Sequence, residues 1–480
     1  MFWRGVLGYL PVNLVQGVVG LLSIVIFTRI LSPSAYGIYA LAFSAMSLAQ
    51  TGLFLWLEAS MARFYVREEE AGRLAGHFAT LYRCYAVLAM GFPVLAGVFL
   101  WLWPMPGELR LAVAAGLATT PIRSLVKLSQ ERRRAVGDVK GAARLDVIQT
   151  GAGFAAGAGL AWLGLGGSAP LLGSGIVSGA LLIWVLPADL PRAKGGRFEP
   201  ARAKMYAAYG LPVALSLILA LVLATTDRFL IAAYLNETSV GVYHAGYSLA
   251  SRTLDVVFIW LGMAGGPAAI AALERGGQDA LRGVAREQAA FMIALTLPAA
   301  VGLALVAKPL ADIMIGPGLR EGAAQVTPWI AASAFLAGIN TYYLHTAFTL
   351  ARRTGRLLVA IAVPAMLNLA LNLLLVPRFG LQGALWATLA SYALGVAVSY
   401  ALGRRSMALP VPWSMLGRTL AAVTGMGLAV YAVPALGGIV ELAAKALLGL
   451  AVYAVLAYAL DICGARTRSS VIRAIAPRGS

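Results

Sequence analysis

The chain has 480 residues, of which 60% are hydrophobic and 12% charged, with a mean hydropathy of +0.80 and a net charge of +18. Soluble proteins average about 25% charged residues, so this composition excludes a water-soluble globular protein and points to a membrane. Three histidines and two cysteines, with no zinc-protease, dithiol, nucleophile-elbow or P-loop pattern, give no basis for a metal centre or a disulfide framework, and an enzyme is not expected.

Apolar runs of about 20 residues, the length that crosses a hydrocarbon core of about 30 Å, recur along the chain. In order they lie at roughly 7–29, 36–58, 81–103, 108–128, 146–165, 170–189, 207–234, 241–266, 288–311, 327–350, 358–377, 382–403, 417–436 and 441–461, which predicts fourteen membrane helices. The first run is too long for a signal-peptide core and no small-residue cleavage site follows, so it reads as an uncleaved helix. Thirty of the 38 Lys/Arg fall at alternate connections and the termini, from Arg4 to Arg466, Arg468, Arg473 and Arg478. The intervening connections carry four: Arg110, Lys308, Arg320 and Arg378. That asymmetry is the positive-inside rule, and it predicts cytoplasmic termini and an even helix count. The basic charge is therefore topology, and no nucleic-acid partner is expected.

One motif occurs twice. Leu31–Ser44 (LSPSAYGIYALAFS) is repeated at Leu235–Ser248 (LNETSVGVYHAGYS), an offset of 204 residues, each copy following the first long apolar run of its half. Six spans in each half make both halves enter the membrane in the same direction, giving parallel repeats around a central path. The expected organisation is an N-lobe over 1–189, a cytoplasmic linker over 190–206, a C-lobe over 207–405, and two C-terminal helices with a basic tail over 406–480. Glycine-rich stretches such as Gly151–Gly159 and Ala264–Gly266 read as close helix packing in lipid.

Three stretches carry a family resemblance. Ala224–Leu235 (ATTDRFLIAAYL), continuing into Val240–Tyr247, resembles the seventh-to-eighth helix junction of polysaccharide flippases. Leu367–Ala384 (LNLALNLLLVPRFGLQGA) resembles their eleventh helix and its tight turn, and Thr28–Tyr39 their first outer turn. The chain thus resembles, to about residue 400, the Wzx-type members of the multidrug/oligosaccharidyl-lipid/polysaccharide (MOP) exporter superfamily. The resemblance implies an all-α, MATE-like polytopic fold of about fourteen helices in the bacterial inner membrane. It implies as partner a polyprenyl-pyrophosphate-linked oligosaccharide among membrane lipids, with polysaccharide polymerase and assembly proteins downstream. No cofactor is implied beyond a coupling proton or sodium ion.

A lipid-linked sugar brings an anionic pyrophosphate into the membrane, and ionisable groups within spans mark such paths by default. Arg252 lies roughly 16 Å into the eighth span and Arg228 roughly 9 Å into the seventh, at about 1.5 Å per residue; guanidinium forks suit phosphate oxygens. Each has a plainer reading. Asp255 is spaced to neutralise Arg252 within one helix, and Asp227 is free to pair with another helix or to hold a coupling ion. Arg123 and Lys127 share a face of the fourth span, as pyrophosphate receptors or as anchors. Arg29 reads as snorkelling at the outer surface. Glu58 and Arg63 end the second span, where Glu58 pairs locally or gates the inner mouth. Asn368 and Asn372 read as interhelical hydrogen bonding, and Trp101, Trp103, Tyr342 and Tyr343 as interfacial belt.

The leading expectation is a flippase that moves undecaprenyl-pyrophosphate-linked oligosaccharides by alternating access, for O-antigen, exopolysaccharide or capsule. The alternatives are a lipid II flippase, a cation-coupled multidrug exporter of the same superfamily, and a non-transporting assembly scaffold.

Overall fold

The computed structural model describes residues 2–464 and 466, with side chains from residue 15 onward; the Arg4 side chain and Arg468, Arg473 and Arg478 of the basic tail lie outside the described residues. All regular elements among the described residues are helical. The chain divides into two compact units, residues 1–241 and 242–480.

The first unit holds α1 (Phe2–Ile30), α2 (Pro33–Leu53), α3 (Leu55–Glu70), α4 (Leu74–Leu102), α5 (Gly107–Ala135), α6 (Val139–Trp162), α7 (Ala169–Asp189), α8 (Pro200–Tyr234) and the first turn of α9 (Glu237–Leu305). Ser32 caps α2, its hydroxyl accepting from the Ala35 N–H at 3.2 Å, and Pro33 follows where its missing N–H costs nothing. Asn236 does the same for α9, its side-chain oxygen accepting from the Ser239 N–H at 2.8 Å. Ser32 and Asn236 are 204 residues apart, so the duplicated motif is a duplicated helix start.

Helices α2 and α3 form one crossing bent by 46° at Phe54. Phe54 is fully buried, with the Tyr85 and Phe92 rings of α4 each 5.7 Å away, so aromatic packing surrounds the residue at the bend. Helix α8 packs on α2 and α3. Helices α6 and α7 approach through glycine: a Cβ on Gly173 would lie 2.2 Å from the Gly157 nitrogen, and one on Gly157 2.9 Å from the Pro170 Cα. The close packing expected of Gly151–Gly159 is thus carried by Gly153 and Gly157, while Gly151 and Gly159 face open space.

The second unit continues α9 through a reversal at Gly277 (φ 65°), then α10 (Ala307–Met314), α11 (Pro317–Ile339), a π-helical turn (Asn340–Leu344) and α12 (Thr346–Leu350). Helix α13 (Thr354–Arg404) reverses at Gly380 (φ 59°), and α14 (Trp413–Tyr431) and α15 (Gly438–Ala459) follow. Both reversals need a positive φ that a side chain would strain. With α9 and α13 each split at its glycine, α2–α3 and α11–α12 each taken as one crossing, and short α10 set aside, the described helices form the fourteen long segments expected.

Eight helices are long and apolar enough to cross a membrane as continuous elements, nine with the bent α2–α3 pair. Helix α4 exposes Val87, Met90, Val94, Leu95, Val98 and Trp101 along its surface. An apolar stripe of that length is stable against lipid and a liability in water, so the chain is a multi-pass membrane protein. Trp101 and Trp103 stand exposed where a belt is expected. Tyr343 does not: it is 4% exposed and donates to the Pro410 carbonyl at 2.5 Å. Tyr342 stacks on Phe258 with centroids 5.9 Å apart, so these two tyrosines are packing residues.

Candidate functional site

Taking a charge out of water costs several kcal/mol unless it finds partners, so each buried charge in a membrane helix needs a reason. In the first unit, Asp227 is 0% and Arg228 6% exposed on α8. Adjacent helical residues point apart, and Arg228 reaches α2, where its Nη1 donates to Ser44 Oγ at 3.2 Å. Ser44 closes the first copy of the duplicated motif.

A second buried carboxylate follows the bend at Phe54. Glu58 is 5% exposed and accepts from Ser124 Oγ on α5 at 2.9 Å, with a further hydrogen bond from Gln50 and the charge of Lys127 acting on it. Arg123, one turn earlier on α5, is half-buried and donates to Ser174 Oγ on α7. The shared face of Arg123 and Lys127 is therefore divided, one residue serving α7 and the other the Glu58 carboxylate. Arg63 is exposed on α3 and forms no ion pair among the described residues, so it does not join Glu58. Arg29 is exposed in the last turn of α1 and folds back on its own helix, donating to the Val25 carbonyl at 2.8 Å, where its charge suits the negative helix end.

In the second unit, Arg252 and Asp255 are both exposed on α9, beside exposed Val256, Ile259 and Trp260, and form no ion pair with each other. Their charges still act on each other along the helix face, so the spacing gives electrostatic compensation without a contact ion pair. A polar seam joins α9 to α13, with Tyr243 Oη and Thr388 Oγ1 3.2 Å apart. Asn368 and Asn372 on α13 are fully buried. Asn372 Nδ2 donates to the Asn368 carbonyl at 2.9 Å along its own helix, while neither polar side-chain atom of Asn368 finds a partner among the described residues. Interhelical bonding through Asn368 is thus corrected to an open buried amide. A cavity of about 550 Å³ in this unit is lined by Ala264, Gly265, Phe291, Pro412 and Met415, with Arg286 among its polar residues. Among the described residues no three His, Cys, Asp or Glu side chains are grouped to hold a metal ion.

Sequence reasoning missed a buried ionic network in the first unit. Arg202, 6% exposed on α8, bonds Glu68 at 3.0 Å and Glu199 at 2.8 Å, and Arg132 on α5 pairs with buried Asp189 at 2.8 Å. Buried His77 on α4 shares a hydrogen bond with Tyr206 of α8. The residues were visible as charges flanking the spans, but nothing in their spacing pairs Glu68 with an arginine 134 residues away.

A duplicated helix start, buried intramembrane charges and fourteen long segments define a polytopic, all-helical membrane protein. The fold is similar to that of the lipid II flippase MurJ in an inward closed conformation, with TM-score 0.71 at 14% identity, over 94% of this chain and 98% of that one. It is also similar to an inward-facing multidrug resistance MATE family transporter of the MOP superfamily, with TM-score 0.66 at 14% identity, over 82% and 94%. A MOP superfamily transporter from Pyrococcus furiosus, whose binding pocket is described as of reverse polarity, gives TM-score 0.53 at 14% identity, over 85% and 93%. Residues 26–321 match the polysaccharide biosynthesis protein family, and the chain belongs to that family. No curated protein sequence matches it. These relatives are transporters and flippases, not enzymes.

Proposed function

We propose that this protein flips polyprenyl-pyrophosphate-linked oligosaccharides from the inner to the outer leaflet of the bacterial cytoplasmic membrane, supplying surface polysaccharide synthesis. The observation that carries this reading, within a polysaccharide biosynthesis family, is Arg252: an exposed arginine deep in a membrane helix, under the charge of Asp255 but in no contact ion pair among the described residues. A guanidinium in that position matches two phosphate oxygens at once and strengthens as water is excluded. Arg228, fixed on Ser44, is a second candidate cation, in the first unit, and the apolar side of the cavity beside Phe291 suits an alkyl chain. Transport proceeds by alternating access, with both termini cytoplasmic. Asp227 is the carboxylate for a coupling proton or sodium ion, and the polymerase consumes the delivered unit.

The likeness to the lipid II flippase over 94% of the chain supports a second reading, in which the cargo is a peptidoglycan precursor. Proteoliposomes separate the two. The purified protein is reconstituted with a labelled polyprenyl-pyrophosphate oligosaccharide or with lipid II, and exposure of sugar to an impermeant glycosidase is followed. Faster exposure of the oligosaccharide lipid supports the proposal; exposure of lipid II alone replaces it with the second reading.

A further inference from the structure

Counter-charge is spread unevenly over the arginines. In the first unit Arg73, Arg132, Arg133, Arg134 and Arg202 each pair with a carboxylate, and in the second Arg282 and Arg320 do. In the second, residues 322–440 contain no Asp or Glu at all. Arg352, Arg353, Arg356, Arg404 and Arg405 form no ion pair among the described residues, and all but Arg356 are exposed. The positive-inside rule explains why cations gather at one end of these helices, but not why one group is left without counter-charge.

The fold gathers these arginines. Helix α13 leaves the polar end at Thr354, reverses at Gly380 and returns to the same end at Arg404. Arg356 ties the two ends, its Nη1 donating to the Arg405 carbonyl at 2.6 Å and to Ser406 Oγ at 2.8 Å. Arg404 lies over the Tyr400 ring, 5.7 Å from its centroid. Between these ends opens a cavity of about 450 Å³ lined by Arg352, Arg353, Thr354, Gly355, Arg356, Val359 and Leu402. Its floor includes the first turn of α13, whose cap residue Arg353 makes no side-chain cap bond, so the positive end of a long helix faces the same space. Val359 and Leu402 give it an apolar side.

Arg352 adds a backbone observation. It has φ 53°, and its N–H returns to the Thr349 carbonyl at 3.1 Å while that of Arg353 returns to Phe348 at 2.9 Å. This is the helix-ending turn in which glycine is the relaxed choice, because a side chain crowds its own backbone there. The chain places a cation where the turn alone asks for glycine.

We propose that this cavity binds the phosphate of an anionic glycerophospholipid, with Arg352 and Arg353 on the headgroup and the acyl chains running along Val359 and Leu402. Uncompensated arginines at the end of membrane helices recognise anionic headgroups in this way. The site is distinct from Arg252 and does not depend on which cargo the protein carries.

The test uses the full chain in detergent, with dioleoyl phosphatidylglycerol, dioleoyl phosphatidylcholine and inorganic pyrophosphate as probes and bound lipid counted by native mass spectrometry. The expected result is a roughly 10- to 30-fold preference for phosphatidylglycerol that Arg352→Gly with Arg353→Gln abolishes. Arg352→Gly alone should weaken the preference without lowering the unfolding midpoint, because glycine relaxes the turn; this separates lost charge from lost folding. An unchanged preference in the double variant overturns the proposal. So does displacement of phosphatidylglycerol by an equal concentration of inorganic pyrophosphate, which would assign the site to a free or cargo phosphate.

Discussion

Gly37 lies so close to Glu237 that a Cβ on it would stand 1.8 Å from the Glu237 carbonyl oxygen and 2.9 Å from the Gly241 nitrogen. Gly37 and Gly241 hold the same place in the two copies of the duplicated motif, 204 residues apart. The two helix starts that the repeat encodes therefore touch at a glycine, and backbone meets backbone because no side chain intervenes.

Gly37→Ala must push these backbones apart. We expect it to cost about 1–3 kcal/mol, the usual penalty of overpacking, read as a lowered unfolding midpoint in detergent. Gly91→Ala is the control: a Cβ there meets nothing within 4 Å, so the midpoint should hold or rise. Equal midpoints for Gly37→Ala and wild type would show that the contact is looser than described.

Ser124→Ala removes a donor from the buried Glu58 carboxylate and should cost about 1–3 kcal/mol. Glu58→Ala should cost more, about 3 kcal/mol or above, because Ser124 and Lys127 then face a buried gap. Chemical denaturation of the two variants and their double mutant measures the coupling. Additive effects would mean that Ser124 and Glu58 act independently.

The two deep arginines should part company when mutated. Arg228→Ala breaks a buried charged hydrogen bond to Ser44 and should destabilise by about 2 kcal/mol, with reduced expression. Arg252→Ala, at an exposed position, should stay within about 0.5 kcal/mol of wild type yet lose transport in a complementation assay. Arg252→Lys should rescue partly if charge suffices and poorly if the bidentate fork is needed. Normal transport by Arg252→Ala would remove that residue from the cargo path.

Asp138, in the loop between α5 and α6, caps α6. The Gly141 N–H at 2.9 Å and then the Arg133 guanidinium at 3.0 Å hold its carboxyl below the usual carboxylate range. A depressed folded-state value means that the stabilisation is present above the unfolded value of about 3.9 and is lost as pH falls through the lower folded value. Asp138→Ala should cost about 1 kcal/mol at neutral pH, and the difference from wild type should vanish in acid. A difference that persists below that range would point to packing rather than charge.

Hydropathy made the segments legible because lipid demands long apolar runs, and the repeat made Ser32 and Asn236 comparable as helix starts. The reversal at Gly380 was legible as the tight turn after the eleventh run, whereas that at Gly277 was not, because it falls inside the long polar gap between the runs 241–266 and 288–311. What could not be read is which face each charge meets. Arg252 with Asp255 and Arg123 with Lys127 were grouped by helical spacing, but Arg123 is claimed by Ser174, and Arg252 feels the Asp255 charge without a contact ion pair. Ser124 attracted no notice and Ser44 only as a repeated motif position, because a serine in a membrane helix looks the same whether it answers its own backbone or a buried charge. The bend at Phe54, which brings Glu58 against α5, has no proline to announce it.

The flippase account is tested most directly in a deletion strain, by extracting lipids and quantifying polyprenyl-pyrophosphate-linked oligosaccharide together with surface polysaccharide. The account predicts accumulated lipid-linked sugar and lost surface polymer, both restored by the wild-type chain and not by Arg252→Ala. Normal lipid-linked sugar and polymer, with increased sensitivity to cationic drugs, would contradict it and place the protein among the drug exporters whose fold it shares.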